Sequence, residues 1–361
     1  MAFVTKYGTV FGHAPLQTGR IHFVAPAASY TVDGRAYIAS DDNDGLSPER
    51  ALLTLSQALT NITASAGEAI YLFEGTHAQT ATLRVQKAGI TFIGQRSLSA
   101  SEVGASAALG VFPKPIISFV GAAAPGVSIE ADNIEISNVT LRPAPGFSTV
   151  IFRNSSPDNF YMHDYVIVFT RGQPALATIG IDFGYRADTA GLAGTAIGRN
   201  AQTTQRATAF LANFSIVSGG AYGPGILTAT ADVTVVGGRF HNRAGAWATA
   251  FAVATGTGYV FIKACDWTAQ GTTGIGICLD GTNSHVNENS SSSKQFLSNK
   301  VAAYDCRFPF PWNPDSGSPV DNWPTGVISL VECYAGNNGN PALLPPTYKG
   351  IASVYQTVAS A

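Results

Sequence analysis

Three side chains of this sequence recur at a spacing that would bring chemistry together. Arg239, Asp266 and Arg307 are 27 and 41 residues apart, and a chain that coils with a repeat of that order would stack them. An acid between two guanidiniums can grip a carboxylate or a sugar, which makes the trio a weak catalytic candidate. It can also be a surface ladder that neutralises itself and contributes little. Polysaccharide hydrolysis uses paired acids. The acids nearest the trio in sequence are Asp164, Asp280, Asp305 and Glu332. A second group is aromatic: Phe310, Trp312 and Trp323 lie in a Pro-rich stretch. Such rings stack on sugars or anchor a protein partner, and they can equally cover the last repeats.

Other motifs lack the spacing their chemistry needs. Asp41-Asp-Asn-Asp-Gly45 looks like a calcium loop, but with Gly45 as the sixth residue the twelfth is Ala51 and not a bidentate acid. It reads as a turn. The six histidines, at 13, 22, 77, 163, 241 and 285, have no metal-ligand spacing and no adjacent nucleophile. There is no phosphate loop of the Gly-x-x-x-x-Gly-Lys type. No cofactor and no metal are expected.

The elements that would position these groups are strands. Apolar residues are 45% of the chain and charged ones only 12%, with 38 glycines and 19 prolines, a balance for strands and turns. Twenty-one basic residues scattered in a net charge of −2 do not make the basic stripe that binds nucleic acid. The longest charge-free run, residues 207–231, is broken by Gly219-Gly220 and Gly223-Pro224-Gly225, so no membrane span is expected. The first residues lack the apolar core of a secretory signal. Four cysteines without paired spacing suggest neither a disulfide framework nor a zinc site.

Seven strand-like runs share one frame: Ile136-Ser-Asn-Val-Thr-Leu141, Met162-His-Asp-Tyr-Val-Ile167, Leu211-Ala-Asn-Phe-Ser-Ile216, Val235-Val-Gly-Gly-Arg-Phe240, Ile262-Lys-Ala-Cys-Asp-Trp267, Ala303-Tyr-Asp-Cys-Arg-Phe308 and Leu330-Val-Glu-Cys-Tyr-Ala335. Their starts differ by 26, 49, 24, 27, 41 and 27 residues. A period of about two dozen belongs to solenoids. The step of 49 fits two coils, one running through Ile179–Phe183. The step of 41 fits one coil plus a loop over 283–293. The third position holds Asn138, Asp164, Asn213, Gly237, Ala264, Asp305 and Glu332, mostly residues that enter the left-handed region cheaply. One such residue between two strands makes a sharp corner. The fourth position points inward and stacks Cys265, Cys306 and Cys333 as small hydrophobes. The fifth, which carries Arg239, Asp266 and Arg307, points outward.

Ahead of the repeats, Ser47 precedes Pro48 and Glu49 as an N-cap would. Leu52, Leu55, Leu59 and Ile62 then make one apolar helical stripe. The fold class expected is all-β: a right-handed parallel β-helix, or solenoid, with a short N-terminal capping helix. The expected parts are an arm over 1–34, the β-helix over 35–335 with its helix at about 47–62, and a tail over 336–361.

Residues Tyr37–Arg50 with Leu53–Leu59, Ala69–Gly75 and Asn133–Leu141 resemble the opening segments of pectate-lyase-like parallel β-helix proteins, including those of phage particles. The resemblance implies a right-handed coil, a helical cap and, as in phage members, a homotrimer. Its enzymes are expected to use clustered carboxylates and a base, for which this chain offers few free acids. The resulting expectation is a phage virion structural protein. Its expected form is a trimeric capsid decoration protein on the major capsid protein or another virion protein, assembled in the host cytoplasm. The alternatives are a short tailspike or polysaccharide-degrading enzyme, and a surface adhesin that binds carbohydrate.

Overall fold

A computed structural model describes residues 3–5, 8–10, 19–95, 115–119, 126–143, 150–154, 158–169, 179–183, 208–218, 226–228, 232–242, 246–247, 251–254, 259–269, 273–274, 277–280, 300–308, 328–335, 342–343 and 347–348. The chain is a parallel β-helix. One sheet of eighteen strands runs the length of the stack, and a seven-stranded sheet faces it. In the long sheet each rung pairs in parallel with the next: Ile134–Ser137 with Phe160–Phe169, that strand with Thr208–Ser218, and that in turn with Asp232–Asn242. The facing sheet is built from the strand that closes each coil, such as Val127–Ile129, Val150–Asn154 and Ile179–Phe183.

All seven third-position residues have positive φ, from 49° at Asp305 to 66° at Gly237. Ala264 and Glu332 are included, at 52° and 54°. Neither is a residue that favours this region, so the stack imposes the corner there against local preference. A second left-handed column precedes the long-sheet strands at Ser65, Gly89, Asn133 and Asn159. It is tied rung to rung: Gly89 N donates to Asp132 O at 3.0 Å, Asn133 N to Asp158 O at 2.9 Å, and Asn159 Nδ2 to Asn133 Oδ1 at 3.0 Å.

Inside the corner, the fourth position is buried at every rung. The rings of Tyr165 and Phe214 stack at 5.1 Å and 11°. The Phe214 ring then fills the space a Cβ on Gly238 would take, at 2.3 Å from its Cζ. Cys265, Cys306 and Cys333 follow, all buried and free. Cys306 donates to Tyr304 O at 3.1 Å, and its hydrogen bond to Cys265 together with burial pushes its thiol up to about 12. All three side chains pack within the buried column. Burying each such side chain contributes roughly 1.5–3 kcal/mol.

The strand pairing revises several expectations. The step of 49 residues is a single coil, because Phe160–Phe169 pairs directly with Thr208–Ser218. Ile179–Phe183 belongs to the facing sheet of that same coil. The step of 41 is one coil, as expected, since Tyr259–Lys263 pairs with Lys300–Tyr304; the loop expected over 283–293 lies outside the described residues. The first rung begins inside the segment read as an arm: Ile21–Val24 pairs in parallel with Ala69–Leu72. At the other end Ala342–Leu343 and Thr347–Tyr348 fold back antiparallel onto the last rung, so this part of the expected tail closes the sheet edge.

The cap is a 3-10 turn at Pro48–Arg50 followed by an α-helix at Leu55–Asn61. Ser47 makes no side-chain cap; Thr54 does, its Oγ1 accepting from Gln57 N at 3.1 Å. Leu52, Leu55, Leu59 and Ile62 are buried over the first rung. Lys87 closes the helix C-terminus, its Nζ donating to the carbonyls of Leu59, Thr60 and Ile62 at 2.8, 2.8 and 2.6 Å.

Candidate functional site

The outer face of the long sheet changes character along the stack. Over the first rungs it is covered. A hairpin of Ser29–Val32 and Arg35–Ile38 lays Tyr30 and Val32 on Phe23, Tyr71, Phe73 and Ile93, a second apolar core outside the main one. Further on, the same outward columns open. Phe210 and Phe261 are 37% and 36% exposed. Tyr161 lies 5.2 Å from Phe210, and Tyr304 lies 5.1 Å from Phe261, ring to ring.

Where covered becomes open, the face carries charge. Glu135 is on one rung and His163 and Asp164 are on the next. His163 Nε2 is 3.1 Å from Glu135 Oε1, and His163 Nδ1 is 2.9 Å from Asp164 Oδ2. All three are largely buried, with side-chain exposures of 3% for Glu135, 11% for His163 and 17% for Asp164. Burial alone would lower the imidazole's pKa. Hydrogen bonds to Asp164 and Glu135, and the charges of both carboxylates, outweigh it and hold His163 up to about 9. The imidazole is therefore a cation at neutral pH, donating from both nitrogens. Tyr161 stacks on it at 4.5 Å and 25°.

This trio was not singled out in the sequence. The frame placed Asp164 only at the corner, and its carboxylate faces His163. The available signal was ionisable residues at outward positions of the frame, Glu135 just before one run and His163 at the second place of the next.

The expected trio does align. Arg239 pairs in register with Asp266, and Asp266 with Arg307. Arg239 is exposed and Asp266 partly so. The same column is not outward and open throughout, because Thr140, Val166 and Ser215 are 1%, 0% and 0% exposed. Phe310, Trp312 and Trp323 lie outside the described residues.

Asp41 is a structural ligand of the helix cap. Its Oδ1 accepts from Leu53 N and Thr54 N at 3.0 and 2.9 Å, and its Oδ2 from the Thr54 hydroxyl at 2.9 Å. His22 is buried 3.2 Å from Glu68 in the first rung. His77 lies 2.9 Å from Phe73 O, and burial lowers its pKa. Among the described residues no group of three or more His, Cys, Asp or Glu is arranged to hold a metal. No described helix is long and apolar enough to cross a membrane.

Neither a family model nor a curated protein matches the sequence. Among solved structures the chain is similar to the pectin methylesterase from Aspergillus niger. The penultimately deglycosylated form gives a TM-score of 0.40 at 11% identity, over 86% of this chain and 94% of that one. The deglycosylated form gives 0.38 at 11% identity over the same shares. The parallel pairing described above defines the fold independently of that likeness, and no activity is carried across from it.

Proposed function

We propose that this chain is a structural protein of a phage particle, a decoration protein that docks on the capsid surface as a homotrimer and is assembled in the host cytoplasm. The observation that supports this reading is the open half of the outer face. Phe210 and Phe261 stand exposed beside Tyr161 and Tyr304 on a rigid stack. Apolar surface on successive rungs is where a protein partner gains burial. On the first rungs an intrachain hairpin already makes that kind of contact with the same face.

The test is addition of purified protein to bare capsids. Saturable binding is expected, and Phe210→Ser and Phe261→Ser should abolish it while the circular dichroism spectrum is kept. An absence of saturable binding by the unaltered chain removes the reading. Light scattering at micromolar concentration should give a trimer; a monomer alone would remove that part.

One observation favours a second reading, binding or cleavage of a polysaccharide. It is the alignment of Arg239, Asp266 and Arg307 on three consecutive rungs. Release of reducing or unsaturated ends from polysaccharide, lost in Asp266→Asn, would support it.

A further inference from the structure

The charged trio is not something the stack requires. On the outward columns it occupies, neighbouring rungs carry uncharged residues. Glu135 is flanked by Thr91 and Tyr161 in register, and His163 by Ser137 and Ala212. The left-handed corner held by Asp164 is held by Asn138 and Asn213 on the rungs either side. Two acids and a cation have thus been placed in one buried spot where the fold is satisfied without them.

The geometry points to a pH-sensitive clasp: protonated His163 fastens Glu135 of one rung to Asp164 of the next, and loss of its proton to solvent unfastens them. The second carboxylate oxygen of Asp164, Oδ1, is buried without a hydrogen-bond partner, so this acid depends on the imidazolium. Once the ring is neutral, the two carboxylates it bridges lose the cation between them. Among the described residues, the titratable groups facing His163 are Glu135 from the preceding rung and Tyr161 and Asp164 from its own strand. The following rung presents Ala212 and Asn213. The Tyr161 phenol is pushed up by burial and by both carboxylates, so it stays protonated while His163 titrates. The clasp sits at the boundary between the covered and open halves of the face, and its release frees that boundary. The inference goes beyond the docking reading and is independent of it.

The neighbouring rungs supply the controls. Glu135→Thr, His163→Ala and Asp164→Asn each copy a residue found on the same column one or two rungs away. The triple variant therefore keeps the corner and uses side chains the same columns already carry on adjacent rungs.

The experiment has two arms on the full chain. The first is an NMR titration of the histidine rings in the native protein. The His163 ring is expected to titrate with a midpoint near 9, and Asp164→Asn should lower that midpoint by a unit or more. The second is amide exchange between pH 7 and 10, corrected for intrinsic base catalysis. Protection over Ile134–Ser137 and Phe160–Phe169 should fall at least tenfold across His163's titration, and not in the triple variant. A His163 ring titrating at or below the ordinary 6.5 overturns the clasp, and so does a protection step that survives in the triple variant. If the triple variant fails to fold, the titration of the native ring decides alone.

Discussion

The two faces of the long sheet obey different rules. Inward columns change size from rung to rung but not polarity: Tyr165, Phe214, Gly238, Cys265, Cys306 and Cys333 succeed one another with no charge. Outward columns change chemistry within two or three rungs. They run from aromatic residues under a hairpin, through the Glu135–His163–Asp164 cluster, to exposed Phe210 and Phe261 and the aligned Arg239, Asp266 and Arg307. The inside is constrained by neighbours on both sides, so one residue's volume dictates the next. The outside meets its neighbours only along the column and is free to vary. Fold is written on one face, and the candidate functional groups lie on the other.

The sharpest way to break that contrast is to put a charge on the inward face. Cys306→Asp should cost more than about 4 kcal/mol, because a buried carboxylate there has no cation partner. Loss of the cooperative melting transition is the expected result, and a melting point close to the native one would refute the division. Next in size is His163. Its folded pKa of about 9 lies above the ordinary 6.5, so its contribution is fully present below pH 6.5. It is lost as pH rises towards 9. That is roughly 3 kcal/mol by linkage. Denaturant melts from pH 6 to 10 should show the decline, and His163→Gln should flatten it by being weak throughout.

Gly238→Ala puts a methyl into the Phe214 ring and should destabilise by about 1–3 kcal/mol, measurable as a lower urea midpoint. Ala264→Gly relieves a left-handed alanine and should stabilise by about 1 kcal/mol. Phe261→Ser on the open face should move stability by no more than about 0.5 kcal/mol, so any loss of capsid binding in that variant would reflect contact and not unfolding.

The corner column was legible because Asn, Asp and Gly are cheap in the left-handed region and recur at a fixed place. Ala264 and Glu332 take the same geometry although neither favours it, in one column with five residues that do. The second corner at Gly89, Asn133 and Asn159 carried the same signal one residue ahead of each strand and could have been read the same way. The extra coil inferred from the step of 49 failed for a physical reason. Strand-like composition does not say which of the two sheets a segment joins, and Ile179–Phe183 joins the facing one. Helix start was misread because Ser47-Pro48-Glu49 opens a 3-10 turn, while Thr54 caps the α-helix under Asp41. The Glu135–His163–Asp164 cluster was illegible without the register, since His163 reaches diagonally to a carboxylate 28 residues earlier.

The two irregular steps have a consequence for engineering and for descent. The facing-sheet strands Ile179–Phe183 and Ile277–Asp280 are each followed by a long sequence interval before the next long-sheet strand begins, at Thr208 and at Lys300. In each case the rungs above and below still meet in register. Doubling such a connection costs only about 0.6 kcal/mol of closure entropy. Those two junctions are therefore where foreign sequence, a tag or an epitope, is expected to be accepted while the register of the flanking rungs is kept.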